Sequence, residues 1–193
     1  MGITIAVDLD DTLADIAPAL YSEFRLLGVP EPDPSRWHFG DPQRMQSACR
    51  RLAESGWRGC KLVAGALEVI QGWYLDGHRI VIVTSRPEEQ EEPTRAWLEW
   101  QALKVRHGDW HGWADLHLIG DACKVRHCQA EKAVVLVEDR ASTALRAHEE
   151  GLGTVLLDQP WNQLADLPRA MGWRGVDGVQ GRVAELLSAR RIA

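Results

Sequence analysis

Cysteine is scarce in this chain, with only Cys49, Cys60, Cys123 and Cys128 among 193 residues and none of them in CxxC spacing. That excludes a disulfide scaffold, and the four are read as reduced thiols. Cys123, His127 and Cys128 have no second paired cluster to complete a zinc site, and His107 and His111, with Gly108 and Asp109 between them, do not form a helical metal pair. Positive charge is also in deficit: 22 Lys and Arg stand against 28 Asp and Glu, a formal net charge of −6. Such a balance leaves no electrostatic footprint for a nucleic-acid duplex or an anionic membrane surface, and a small anionic substrate would need a local cation. No apolar run approaches the ~18 residues of a membrane span, and the N-terminus begins with strand-like sequence in place of a signal peptide, so the cytoplasm is the expected compartment. Phe and Tyr number two each, against nine Trp.

A hydrophobic content of 45% over 193 residues is enough for one sizeable core. Residues 3–8 (ITIAVD) read as a short buried strand ending in acid. The segment 62–77 has Ala66, Val69, Ile70 and Trp73 on one helical face, closes at Gly77 and leads into a second strand, RIVIVTS (79–85). The alternation continues with a helix over 91–103, a strand at 115–120, a helix over 123–132, a strand at 133–139, a helix over 142–151 and a last strand at 154–158. Five strands separated by helices predict an α/β fold: a Rossmann-like three-layer sandwich around a central, mainly parallel five-stranded sheet. Residues 16–61 are too many for a loop. Two helical stretches, 17–28 and 41–56, flank the Pro-rich VPEPDPSRWHFG and predict a small helical cap inserted after strand 1, leaving 1–15 and 62–193 as the core. A Gly-rich loop near 172–181 precedes a short C-terminal helix.

In open parallel sheets ligands bind at the carboxyl ends of the strands. Here those ends carry Asp8 and Asp10, then Thr84 and Ser85, then Glu138 and Asp139. Up to four carboxylates in one crevice would raise one another's pKa unless a cation intervened, and Mg²⁺ with a phosphate co-ligand suits an all-oxygen set of Asp8, Asp10, Glu138 and Asp139. Asp8 is the candidate nucleophile. Asp10, on the same side of an extended chain, is the candidate acid and base for the leaving oxygen and the hydrolytic water. Thr84 and Ser85 would donate to phosphate oxygens, and a lysine would offset charge there; Lys124 is preferred, with Lys132 nearby as the other candidate. Asp11 flips away from this side, and Asp15 is placed as a cap of the following helix.

These residues resemble the motifs of the haloacid dehalogenase superfamily. DLDDTLAD looks like its DxDx[TV] motif, with Asp8 matching the nucleophile and Asp10 the acid/base, VIVTSRP resembles the second motif, Lys124 the third-motif lysine and LVEDR the fourth. TSRP, EDR and LLDQPWN (156–162) are most similar to the 5′(3′)-deoxyribonucleotidase-like branch, from which the chain departs by Glu138 in place of Asp and by the spacing from Lys124 to Glu138. The resemblance implies a Rossmann-like core, a helical cap after strand 1 and Mg²⁺-dependent phosphomonoester hydrolysis through an aspartyl-phosphate. Having Asp10 argues against a dehalogenase, which needs no leaving-group acid.

Trp37, Phe39 and Trp57 fall in the expected cap, where exposed rings would stack on a nucleobase and buried ones would form the cap's own core. Arg86 and Arg140 follow the motif residues closely enough to meet substrate. The expected partner is a small phosphorylated metabolite, a nucleoside monophosphate first among them, while a sugar phosphate, transfer to another acceptor and a non-catalytic phospho-ligand sensor are the alternatives. Monomer and homodimer are both open.

Overall fold

The computed structural model describes residues 2–29, 33–36, 40–106 and 112–192, with side chains to 189. Its main sheet has six strands: β1 (Thr4–Val7), β4 (Arg79–Thr84), β5 (Ala114–Leu118), β6 (Ala133–Glu138), β7 (Gly153–Leu157) and β8 (Arg169–Ala170). They lie in the order β5-β4-β1-β6-β7-β8, and every neighbouring pair is parallel. The sheet thus has one strand more than the five expected from sequence. The extra strand, β8, is a two-residue pairing with Leu156 and Leu157 and has no apolar run to announce it.

Period-two alternation sorts the strand side chains into two apolar clusters. Ile5, Val7, Ile80, Ile82, Val135 and Val137 face one; Ala6, Val81, Val83 and Leu136 face the other. The first cluster takes α3 (Ala66–Leu75) through Val69, Ile70 and Trp73, α4 (Glu91–Trp100) through Trp97 and Leu98, and α7 (Val179–Ile192) through Val179 and Val183. The second takes α5 (Lys124–Ala130) through Val125 and Cys128, and α6 (Ala141–Glu149) through Ala147.

After β1 the chain forms a small antiparallel pair, β2 (Ala14–Asp15) with β3 (Lys61–Leu62). Between these two strands lie α1 (Ala17–Leu26) and α2 (Pro42–Glu54). Proline opens both helices, where its missing N–H costs nothing. The Asp41 carboxylate caps α2 by accepting from Arg44 N at 3.0 Å. Leu20, Phe24, Met45, Ala48, Leu52 and Trp57 of this insertion join the same apolar cluster as the sheet, so the helices pack on the core's own apolar face.

The cap of α1 corrects the sequence expectation. Asp15 is exposed in β2, whereas Asp11, at φ 58°, turns its carboxylate toward the helix and accepts from Ile16 N at 3.2 Å and Ala17 N at 3.0 Å. Asp tolerates this left-handed conformation better than most residues. Burial, followed by the neighbouring Asp10 charge, pushes the Asp11 carboxyl up to about 8.

Candidate active site

The central position of β1 follows from the strand order: the chain leaves β1 for β4 and β5 on one side and returns to β6 on the other. The carboxyl ends of β1, β4 and β6 therefore meet at a topological switch point. Asp8, one residue beyond β1, is fixed by its N–H to Val137 O at 2.9 Å.

Lys124, the first residue of α5, reaches this point with its Nζ 2.5 Å from Asp8 Oδ1 and 2.9 Å from Glu138 Oε2. All three are buried. Burial alone would lower the lysine pKa, but the Asp8 and Glu138 charges outweigh it and hold the ammonium protonated. Lys132, the other candidate, follows the C-terminus of α5 at the opposite end of that helix.

Thr12 Oγ1 stands 3.3 Å from Asp8 Oδ2 and 3.4 Å from Asp139 Oδ1, so its single proton bridges one or the other. Asp139 Oδ2 accepts from Trp161 Nε1 at 2.8 Å, and Asn162 Nδ2 donates to the Asp139 carbonyl at 2.7 Å. Burial first, then Asp8, raises both Glu138 and Asp139 above the usual carboxylate range. Physically, three buried acids share one buried lysine, and the crevice carries more negative charge than its own cation offsets.

Asp8, Glu138 and Asp139 each offer a carboxylate oxygen within 4.8 Å of the others, a donor set that fits a hard divalent cation. Asp10 stands apart from this trio. Arg86 Nε lies 3.1 and 3.0 Å from its two oxygens, and Nη2 lies 2.5 Å from Oδ1. The Asp10 side chain keeps 23% of its surface exposed while Arg86 keeps 3%. Arg86 also donates through Nη1 to Thr94 Oγ1 at 2.9 Å, and its guanidinium carbon sits 3.3 Å from the centroid of the Trp57 ring.

Trp57 is 1% exposed, so it is not the open stacking surface one sequence reading gave it. Its φ of 58° is rare for a bulky residue and aims the ring at Arg86. The Thr84 hydroxyl is buried and accepts from Arg86 N at 3.2 Å, whereas Ser85 is exposed beside it. Arg140 is exposed, and its backbone N–H donates to Glu138 Oε1 at 3.2 Å. Trp37 and Phe39 lie outside the described residues.

Sequence reasoning passed over several participants. Thr12 stood inside the quoted DxDxT string without being given a role. Thr94 carries no local signal at all. The LLDQPWN segment drew notice for its likeness to the nucleotidase-like branch, with no role given to Gln159, yet Gln159 Nε2 also holds Asp11 O at 2.7 Å and ties the first motif to the last.

The sheet order and the inserted helices give a fold like that of haloacid dehalogenase-like proteins of known structure. A haloacid dehalogenase-like hydrolase from Streptococcus pneumoniae superposes with a TM-score of 0.60 at 16% identity, covering 97% of this chain and 98% of that one. A hydrolase of the same family from Deinococcus radiodurans, solved with bound phosphate and sodium, gives a TM-score of 0.60 at 12% identity over 99% and 97% of the two chains. In sequence, the chain is 25% identical over 121 residues to the Putative nucleotidase BH1399 of Halalkalibacterium halodurans, covering 61% of this chain and 57% of that protein. The chain thus spans little more than half the length of this curated relative. No protein-family model matches it.

Proposed function

We propose that this chain is a phosphatase of small phosphomonoesters that works through an aspartyl-phosphate on Asp8. The observation that carries the reading is the buried Asp8 carboxylate at the end of the central strand, 2.5 Å from a lysine and hydrogen-bonded to Thr12. In the first step an Asp8 oxygen bonds to phosphorus as the ester P–O bond breaks, and Asp10 gives the departing oxygen its proton. In the second step Asp10 takes a proton from water, whose oxygen bonds to phosphorus and releases inorganic phosphate and free Asp8. Lys124, with the Thr84 and Ser85 hydroxyls, would hold the phosphoryl oxygens, and Arg86 holds the Asp10 carboxylate in place. Asp8, Glu138 and Asp139 would hold Mg²⁺, which when bound supplies the positive charge the crevice lacks.

The nucleotide reading is supported by the name of the H. halodurans relative. With Trp57 buried under Arg86, contact with a base would fall to Trp37 or Phe39, and residues 16–61 would act as the cap. The absence of any long apolar helix among the described residues and the four free cysteines support a cytoplasmic setting.

The test is phosphate release from nucleoside monophosphates, sugar phosphates and an aryl phosphate, with Mg²⁺ and with chelator. Selective, Mg²⁺-dependent turnover of nucleotides is expected. Turnover of the aryl ester without nucleotide preference would keep the chemistry and discard the substrate, and no turnover of any ester would remove the reading. Adding competing acceptor alcohols separates transfer from hydrolysis.

A further inference from the structure

Away from the switch point, the edge strand β5 and the end of α5 bring together His117, His127 and Glu131. The three are half-buried, and each offers a ligand atom within 4.8 Å of the others. His127 and Glu131 are four residues apart, so they stand one above the other at the C-terminal turn of α5, and His117 meets them from the strand. His127 Nε2 is 3.1 Å from His117 Nδ1, with the rings edge to face, and Glu131 Oε1 is 3.9 Å from the same His117 nitrogen. In a tetrahedral zinc site, bonds of ~2.05 Å put neighbouring ligand atoms ~3.3 Å apart, so the imidazole pair already stands at that spacing and Glu131 needs to close by about half an ångström.

We propose that His117, His127 and Glu131 form a binding site for a borderline-soft divalent cation of the zinc class, distinct from the carboxylate crevice and independent of the phosphatase reading. Two imidazoles and one carboxylate select Zn²⁺, Co²⁺ or Ni²⁺ over Mg²⁺. Among the three, Glu131 has the kind of outer support that holds a ligating carboxylate in place. Arg79 Nη2 takes Glu131 Oε2 at 2.7 Å and Asp115 Oδ2 at 2.8 Å, leaving Oε1 turned to His117. The ligating forms are the neutral imidazoles and the ionised carboxylate. Without an ion one ring donates to the other; on binding, that proton moves to the donor's second ring nitrogen through solvent, with no net release. An ion here would tie α5, whose first residue is Lys124, to the edge strand.

The test is calorimetric titration of chelator-stripped protein with Zn²⁺ in millimolar Mg²⁺, so that the carboxylate crevice is held by the harder ion. Parallel titration with Co²⁺ reads the visible spectrum of the site. The expected result is one Zn²⁺ per chain, with affinity falling at least tenfold in both His117→Ala and His127→Ala and with a rise in the unfolding midpoint that both variants lack. Circular dichroism without zinc checks that the variants fold; Glu131→Gln, which keeps shape and volume, should weaken binding less. Wild-type protein that takes up no Zn²⁺, or a folded His117→Ala that binds as tightly as wild type, would overturn the proposal.

Discussion

Asp8 and Asp10 are two residues apart at the end of one strand, yet the chain treats them in opposite ways. Asp8 is buried and faces Lys124, a compact charge with rotatable donors, within a group of acids that one lysine does not neutralise. Asp10 lies at the mouth, a quarter of its side chain exposed, and a planar guanidinium grips both its oxygens while a tryptophan ring backs that guanidinium. The inner carboxylate sits where negative charge is in surplus and a cation would be drawn. The outer one is locally balanced and fixed in direction. Under the proposed mechanism the inner acid serves as the nucleophile and the outer one, aimed by Arg86, as the proton carrier for the leaving group.

The sharpest way to break the comparison is to neutralise each acid in turn. Asp8→Asn removes the attacking anion, and phosphate release should fall by roughly 10³-fold or more for every ester. Asp10→Asn should cost about 10²-fold and should cost most for alkyl esters, whose leaving oxygen needs a proton. Equal losses on aryl and alkyl phosphates in the Asp10 variant would erase the distinction between the two.

Arg86 is the next target. Arg86→Lys keeps the charge but loses the two-pronged grip, the Thr94 bond and the flat stack on Trp57, so activity should drop by about tenfold. The drop should be steeper for alkyl than for aryl esters. A variant that loses only folding stability, with its ester preference unchanged, would reduce Arg86 to a structural role.

How much of this was legible in the sequence follows from what each residue needs in order to be seen. β1, β4, β6 and β7 announce themselves because β-branched runs of four to six residues are long enough for the eye, and the acids after them fall where the parallel-sheet rule looks. β2, β3 and β8 are two residues each, held by neighbours already in place, and no local pattern reports them. The alternation rule predicted Asp11 off the site face, but Asp11 lies beyond β1, and its direction, capping α1, is set by a left-handed turn invisible in sequence. Arg86 was noticed only as a neighbour of Thr84 and Ser85. Its true partner is 76 residues away, and the direction of the side chain is a tertiary fact. His117 is a lone histidine in a strand until α5 packs beside it.

The contrast between buried and exposed acid also predicts a pH effect at Asp11. Its carboxyl titrates near 8 in the folded chain and near 3.8 when unfolded, so between those values the folded state binds more protons. Stability should therefore decline as pH rises from about 4 to about 8, by at most about 6 kcal/mol, and level off above. Asp11→Asn keeps an oxygen for the Ile16 and Ala17 amides and tolerates the positive φ. Its denaturant midpoint should fall less over that window than wild type's; parallel slopes would mean that Asp11 ionises without penalty.

The smallest expected effect lies behind Arg86. Trp57 Nε1 is buried and has no hydrogen-bond partner among the described residues. A buried N–H without a partner costs roughly 1–3 kcal/mol, while the indole adds cation–π attraction to the guanidinium of roughly the same size. Trp57→Phe removes the orphan donor, keeps a ring in the stack and leaves some empty volume, three terms that nearly cancel. The unfolding free energy should stay within about 1 kcal/mol of wild type, and ester preference should not change. If instead the variant loses activity selectively on alkyl esters while remaining folded, the indole is setting the aim of Arg86 on Asp10, and the outer half of the site extends into the helical insertion.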